Sequence, residues 1–261
     1  NVERPDDIQG LHASFFDAGS DLVLTNSFGG NALRLKLHDA QDLVPELNAA
    51  AARLARKTAA TATDMQRRSL LVAGSTGPTG ELFEPMGALT HAATRDVFAA
   101  QANALAEGGV DMLWIETMSS TEEIAAALEA AKATGLPVAA TMTFDTAARS
   151  MMGVLPQDFA VFGAANKADF LGANCGIGPA ELLHSISGMA QAHIDTPLIA
   201  KGNCGTPSYV DGATQNHGTP ALMADYALFA RNMGVRIIGG CCGTSPDHVE
   251  AMSQALAQTP V

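Results

Sequence analysis

Positive charge is what this sequence has least of. Its 15 Lys and Arg stand against 27 Asp and Glu, a formal net charge of −12. Nucleic acid and anionic membranes are held through basic patches, so neither is an expected partner. A small cationic substrate is compatible with the balance. Aromatic residues are also few, 5% of the chain with one Trp and two Tyr, which leaves little material for an aromatic cage. No charge-free apolar run reaches the ~18 residues that a membrane span requires. The opening Asn1-Val2-Glu3-Arg4-Pro5-Asp6-Asp7 has neither the basic start nor the apolar core of a secretory signal. A cytoplasmic, reducing compartment is therefore expected. Nucleotide signatures are missing too. No Gly-x-Gly-x-x-Gly turn follows the first strand-like run, and Gly77-Pro78-Thr79-Gly80 has no Gly-Lys-Ser/Thr after it.

What is present is an alternation of helix and strand. Ile8, Leu11, Phe15 and Phe16 recur at helical spacing, and Gly19 is placed to end that helix. The periodicity predicts helices over 6–18, 40–64, 91–107, 121–134, 156–167, 179–192, 219–233 and 246–256. In the fourth of these, Glu122 and Glu123 fall in the first turn, where the helix dipole favours negative charge. Apolar runs predict strands over 21–25, 70–74, 110–116, 137–143, 169–174, 197–201 and 235–239. Gly109, Gly135 and Gly234 mark the short turns that lead from a helix into the next strand. This is the pattern of a parallel sheet with crossover helices. The expectation is an α/β fold, a (β/α)₈ TIM barrel forming one domain over 1–261. Seven strands are counted and the first element is a helix, so the first barrel strand is expected to be missing from the given chain. Such a barrel places its site at the carboxyl ends of its strands. Thr25, Asn26 and Ser27, Ser75 and Thr76, Glu116, Thr143, Cys175, Asn203, and Cys241 with Cys242 fall there.

The cysteines carry the chemistry. The chain has four, Cys175, Cys204, Cys241 and Cys242, with none before position 175. In a reducing compartment thiols bind metal or act in catalysis rather than pair. A Cys241–Cys242 bridge would be strained in any case. Cys241 and Cys242 follow Ile237-Ile238-Gly239-Gly240, and Cys175 follows Phe170-Leu171-Gly172-Ala173-Asn174. Each is strand, then thiol, then glycine, and the three make a candidate metal site. Cys204 stays open between a ligand and a small buried apolar residue. Three thiolates suit Zn²⁺ and leave one tetrahedral position open, whereas Mg²⁺ prefers oxygen. One zinc with three thiolates already carries a charge of −1. It is a poor generator of hydroxide and a good holder of a fourth thiolate. A free thiol with a pKa near ~8.5 is only slightly ionised at neutral pH, and binding to zinc removes that limit. The implied reaction is alkyl transfer to a thiol from a cationic donor.

Gly239-Gly240-Cys241-Cys242-Gly243-Thr244 with Pro246 and His248, Gly172-Ala173-Asn174-Cys175, Thr25-Asn26-Ser27-Phe28 and Trp114-Ile115-Glu116-Thr117 resemble the zinc-dependent homocysteine S-methyltransferases. That family includes betaine–homocysteine and S-methylmethionine–homocysteine methyltransferases and the homocysteine domain of methionine synthase. The resemblance covers essentially the whole chain. It implies a (β/α)₈ barrel, Zn²⁺ on Cys175, Cys241 and Cys242 as the catalytic set, and homocysteine as the methyl acceptor. It implies that Glu116 recognises the homocysteine ammonium and that Cys204 is a non-ligand; Asn203 matches an asparagine that some members use near zinc when substrate is absent, against the alternative of an ordinary loop turn, and stands with Asn26 as a further substrate-binding position. The family's first strand, with an Asp-Gly-x-x-Gly-Thr motif, has no counterpart here. The donor is expected to be a small methyl-onium compound, betaine first and S-methylmethionine second. Phe28, Phe83, Phe144 and Tyr209 are the aromatic candidates for a partial cage. Competing readings are another thiol acceptor, the methyl-accepting half of a multi-protein system, and a non-catalytic zinc- or thiol-binding relative. The assembly is expected to be a monomer or a loose homodimer.

Overall fold

The computed structural model describes residues 1–66, 68–145, 147–210 and 212–258. The elements in chain order are α1 (Pro5–Asp17), β1 (Leu22–Leu24), α2 (Ala32–Leu35), α3 (Val44–Gln66), β2 (Leu71–Thr76), α4 (His91–Glu107), β3 (Met112–Met118), α5 (Thr121–Lys132) and β4 (Val138–Met142). They continue with α6 (Pro156–Ala165), β5 (Phe170–Cys175), α7 (Pro179–Ala190), β6 (Leu198–Gly202), β7 (Pro207–Val210), β8 (Ala213–Asn216), α8 (Pro220–Asn232), β9 (Ile237–Gly240) and α9 (Pro246–Gln258). One sheet runs in the order β1-β2-β3-β4-β5-β6-β9, and β7 with β8 forms a separate two-stranded sheet. The pairings β1–β2, β2–β3, β5–β6 and β6–β9 are parallel. Sequential parallel strands joined through helices are the fold of a (β/α)₈ barrel. Among the described residues the large sheet has seven strands, the number read from the sequence.

The chain divides into two compact units, Asn1–Asp17 with Asp21–Ala140, and Ala18–Ser20 with Thr141–Val261. In the first unit, Leu22, Val23 and Leu24 stand opposite Leu71, Val72 and Ala73. Alanines make one face of α3 thin: Ala51, Ala52, Ala55 and Ala59 are fully buried. A β-carbon on Gly108 would lie 2.4 Å from that of Ala52, so the end of α4 approaches α3 through two small residues. Trp114, mid-strand in β3, is buried in the core with Leu113, Ile115 and Phe98. Ser120 caps α5 by accepting from the Glu123 N–H at 3.2 Å. α3 begins later than the predicted 40, after a 3₁₀ turn at Gln41–Leu43. Pro45 accounts for this, because proline is favoured in a helix's first turn and disfavoured within it.

In the second unit, Gly172, Ala173 and Asn174 of β5 pair with Ile199, Ala200 and Lys201 of β6, and Lys201 pairs with Gly239 of β9. β5 and β6 meet closely at Gly172, where a β-carbon would lie 2.1 Å from the Ile199 carbonyl oxygen. The β7–β8 hairpin is not expected from the sequence. Its residues lack a period-2 apolar pattern, so the stretch reads as loop. Among the described residues no helix is long and apolar enough to cross a membrane.

Candidate metal centre

The second unit brings three of the four cysteines together. Cys175 closes β5 with φ at +63°, in the left-handed region, and Gly176 follows at +76°. Those two residues turn the chain away from the sheet and leave the thiol half-buried. Cys241 extends the β6–β9 ladder by one bond, its N–H donating to the Gly202 carbonyl at 2.7 Å. Cys242 is exposed, and Gly243 at φ +78° completes the turn into α9. A β-carbon on Gly240 would lie 2.2 Å from the Thr244 hydroxyl, so glycine is required where that turn folds back. The three sulfurs lie within 4.8 Å of one another, and those of Cys175 and Cys242 are 3.8 Å apart. Tetrahedral zinc with ~2.3 Å bonds to sulfur requires sulfurs about 3.8 Å apart. The donor set and its spacing therefore fit zinc. Among the described residues this is the one such group of His, Cys, Asp and Glu side chains. Cys204 stands outside it, buried, with its N–H donating to the Cys242 carbonyl at 2.9 Å.

Electrostatics favour one thiolate in this cluster. Hydrogen bonds from Cys175 and then Cys242, with the Lys201 charge and the Asn174 amide, hold the Cys241 thiol well below its ordinary range despite burial. Cys175 is pushed up, first because it donates to Cys241 and to Cys242, then by burial. Cys242 gains from its bond with Cys175, but its bond with Cys241 and burial outweigh that and push it up. Asn174 is fully buried. Its Oδ1 accepts from the Thr141 hydroxyl at 2.7 Å, which turns its Nδ2 toward the Cys241 sulfur, 3.9 Å away. Lys201 stands beside Asn174 in the β5–β6 register, and opposite Gly239 in the β6–β9 register. Asn203 is buried and bonds main chain at both ends, to Gly176 and to Cys242.

Glu116 lies in the first unit, in β3. It is a buried carboxylate, 5% exposed, not a solvated one at a strand end. The Ser75 hydroxyl donates to its Oε1 at 2.5 Å. Ser75 is itself fixed: its N–H donates to Thr25 Oγ1 at 3.0 Å, and its carbonyl accepts from the Ser27 hydroxyl at 2.7 Å. Asn26, between those two residues, is exposed and exchanges hydrogen bonds with Asn1. Glu123, expected only to complement a helix dipole, is also buried. It accepts from the Thr79 N–H and hydroxyl at 2.7 and 2.6 Å and so anchors the glycine-rich loop. Period alone could not show this, since the bond reaches back 44 residues. Of the aromatic candidates, Phe144 is buried against Phe159, ring centroids 6.2 Å apart, and so serves packing. Phe28 lies over Gly77, and Tyr209 is exposed on the β7–β8 hairpin.

Residues 1–256 match the family model of homocysteine S-methyltransferase. The chain is 30% identical over 271 residues to a methionine synthase of Mycobacterium leprae, covering 99% of this chain and 22% of that protein. It is 30% identical over 278 residues to betaine–homocysteine S-methyltransferase 1 of Mus musculus, covering 98% of this chain and 65% of that protein. The chain thus spans less than a quarter of the first relative's length. Among solved structures, the apo form of the homocysteine methyltransferase MmuM from Escherichia coli superposes with a TM-score of 0.78 at 25% identity, covering 98% of this chain and 87% of that one. Its metallated form superposes with a TM-score of 0.81 at 24% identity, covering 97% and 85%. With cysteine-bearing turns spaced for zinc and a family model matched along nearly its whole length, this chain belongs to the homocysteine S-methyltransferase family.

Proposed function

We propose that this chain transfers a methyl group from a small methyl-onium donor, betaine in first place, to the thiol of homocysteine and so forms methionine. The observation that carries this reading is the cluster of Cys175, Cys241 and Cys242, with sulfurs within 4.8 Å of one another. Zinc bound there would hold an incoming thiol as a thiolate at neutral pH. The homocysteine sulfur then attacks the methyl carbon in line. An S–C bond forms, the N–C bond of the donor breaks, and its electron pair leaves with the neutral amine. The chain's own residues prepare this step. Cys175, Cys241 and Cys242 supply the ligands, while Asn174 and Lys201 offset negative charge around Cys241. Glu116 takes the homocysteine ammonium, and Ser75 holds that carboxylate in place. Asn26 is an exposed candidate for the edge of the substrate. Charge complementarity and positioning do the work that acid–base groups do elsewhere.

The reaction belongs in a reducing, cytoplasmic setting, where the four free thiols persist. A single domain over 1–261, acting as monomer or loose homodimer, is the form proposed. The match to a methionine synthase, 22% of which the chain spans, favours a second reading. There this chain supplies the homocysteine-binding part of a longer enzyme, and the methyl group comes from a donor held elsewhere.

The deciding experiment is methionine formation by the zinc-loaded chain from homocysteine with betaine or S-methylmethionine, with Cys241→Ala as control. Methionine from one donor, lost in the variant, is expected. Tight zinc binding without methionine from either donor would sink the donor assignment and favour the second reading or a non-catalytic zinc-binding role.

A further inference from the structure

Behind Ser75, within the first unit, lies a pair of amides to which the proposed reaction assigns no part. Gln101 of α4 and Asn48 of α3 are both fully buried. Gln101 Nε2 donates to the Ser27 carbonyl at 2.8 Å, to Asn48 Oδ1 at 3.0 Å and to the Ser75 carbonyl at 3.4 Å. Its two hydrogens thus serve three acceptors. Its Oε1 has no partner among the described residues. Turning the amide over would set that oxygen against three others, so the orientation is fixed. Asn48 Nδ2 donates to the Gly30 and Val44 carbonyls at 2.8 and 2.7 Å. Neither strand-end carbonyl needs Gln101 in order to be satisfied. That of Ser27 also accepts from the Gly30 N–H at 2.9 Å, and that of Ser75 from the Ser27 hydroxyl at 2.7 Å. Glycine at position 30 leaves room for the pair. A β-carbon there would lie 2.4 Å from Asn48 Oδ1, 2.8 Å from Gln101 Nε2 and 2.9 Å from the Ser27 carbonyl oxygen.

We propose that Gln101 is a positioning residue for the homocysteine ammonium, acting through Ser75 and Glu116. Pairing of β1 with β2 reaches Leu24 opposite Ala73, and the Thr25 N–H adds one bond to the Ala73 carbonyl at 2.9 Å. Among the described residues the next main-chain bond between the two segments is from the Gly77 N–H to the Phe28 carbonyl. Ser75 lies in the gap, where side chains make the join. Its N–H donates to Thr25 Oγ1, and its carbonyl accepts from the Ser27 hydroxyl. Gln101 ties the Ser27 and Ser75 carbonyls to α4, and Asn48 fixes the Gln101 amide from α3. The Ser75 hydroxyl is thereby held on Glu116. Buried networks of this kind make the groups they join rigid. A buried oxygen without a partner is a cost to stability, and an apolar side chain of the same size would not carry it. The donor end of Gln101 is therefore its use, and what it aims is Ser75. This inference rests on the reading of Glu116 as the ammonium site.

The test uses the whole 261-residue chain, reduced and with zinc present. Calorimetry compares its affinity for homocysteine with that for mercaptobutyrate, which is homocysteine without the ammonium group. Gln101→Met keeps the bulk of the side chain and removes the donor. It should weaken homocysteine binding on the order of 10-fold, within the range for residues that share one hydrogen-bond network. Binding of mercaptobutyrate should be unchanged. In a Glu116→Gln background the same substitution should weaken homocysteine no further. Equal losses for both ligands, or a loss that adds fully to that of Glu116→Gln, would overturn the proposal and leave Gln101 a packing residue. Gly30→Ala, whose β-carbon would push the two amide ends aside, should reproduce the pattern, and it carries the comparison if Gln101→Met does not fold. If Glu116→Gln itself weakens both ligands alike, the ammonium reading of Glu116 fails and takes this inference with it. That outcome is distinct from selectivity lost on Glu116→Gln but kept on Gln101→Met, which would overturn the positioning role alone.

Discussion

Glu116 and Cys241 are both acidic groups with named hydrogen-bond partners. Glu116 receives the Ser75 hydroxyl and is buried, where a hydrogen bond to a bound ammonium is stronger than in water. Glu116→Gln should therefore lower kcat/KM for homocysteine by about 10- to 100-fold, the worth of a charge-assisted hydrogen bond of roughly 1.5–3 kcal/mol. Methyl transfer to a simple thiol without an ammonium group should be unaffected. Equal losses for both acceptors in steady-state assays would remove the ammonium role. The cysteines predict a proton count. Cys241 is depressed and already ionised at neutral pH, whereas Cys175 and Cys242 are raised and protonated. Zinc needs all three as thiolates, so uptake near neutral pH should release about two protons, and affinity should climb about a hundredfold per pH unit. Calorimetry in buffers of different ionisation enthalpy measures this. A release near three would show that Cys241 is not the resident thiolate.

At the scale of elements, the site depends on how closely β5 and β6 run together. Gly172 opens the Gly-Ala-Asn-Cys stretch, and a β-carbon there would lie 2.1 Å from the Ile199 carbonyl oxygen. Backbone cannot yield as a flexible side chain can. Gly172→Ala should cost roughly 1–3 kcal/mol, the range of overpacking in a filled core, and should weaken zinc binding because Cys175 moves with β5. Urea unfolding with and without zinc reads both effects. An unchanged midpoint would mean that the strand pair has room. The glycine in this motif is thus a packing requirement of the sheet, while the cysteine three residues later belongs to the thiol cluster.

For the whole molecule, the boundary between the two units falls inside β4, between Ala140 and Thr141. Domain boundaries ordinarily lie in exposed linkers, and this one lies in a strand. The single-domain proposal therefore predicts one cooperative transition. Trp114, the sole tryptophan, reports from the first unit, whereas Cys175, Cys241 and Cys242 belong to the second. Zinc at a thousandfold excess over its dissociation constant adds about 4 kcal/mol to whatever unfolds with its site. Trp114 fluorescence and far-UV dichroism should melt together and shift together on adding zinc. A Trp114 transition that zinc leaves unmoved would mean that the units unfold separately.

The sequence by itself determined the alternation of elements and which three cysteines stand out as a cluster, because both are local. A helix shows its period within a few turns, and Cys175, Cys241 and Cys242 each sit beside glycines at the end of an apolar run. Trp114-Ile115-Glu116-Thr117 likewise marked Glu116, as the last residue of the strand read over 110–116 and through the family resemblance, although β3 runs on to Met118. Only the tertiary structure decided which groups stand behind these residues. The buried state of Glu116 and its bond to Ser75, the anchoring of Thr79 by Glu123, and the pairing that sets Lys201 beside Asn174 all join residues far apart in the chain. The β7–β8 hairpin escaped notice because it has no apolar alternation. Asn203 read as a residue near metal or substrate, or as an ordinary loop turn, because its neighbours in sequence said nothing of Gly176, which stands 27 positions away and accepts its amide hydrogen. Hydrogen bonds of this kind depend on where strands end in space, and a sequence pattern records only where they begin and end along the chain.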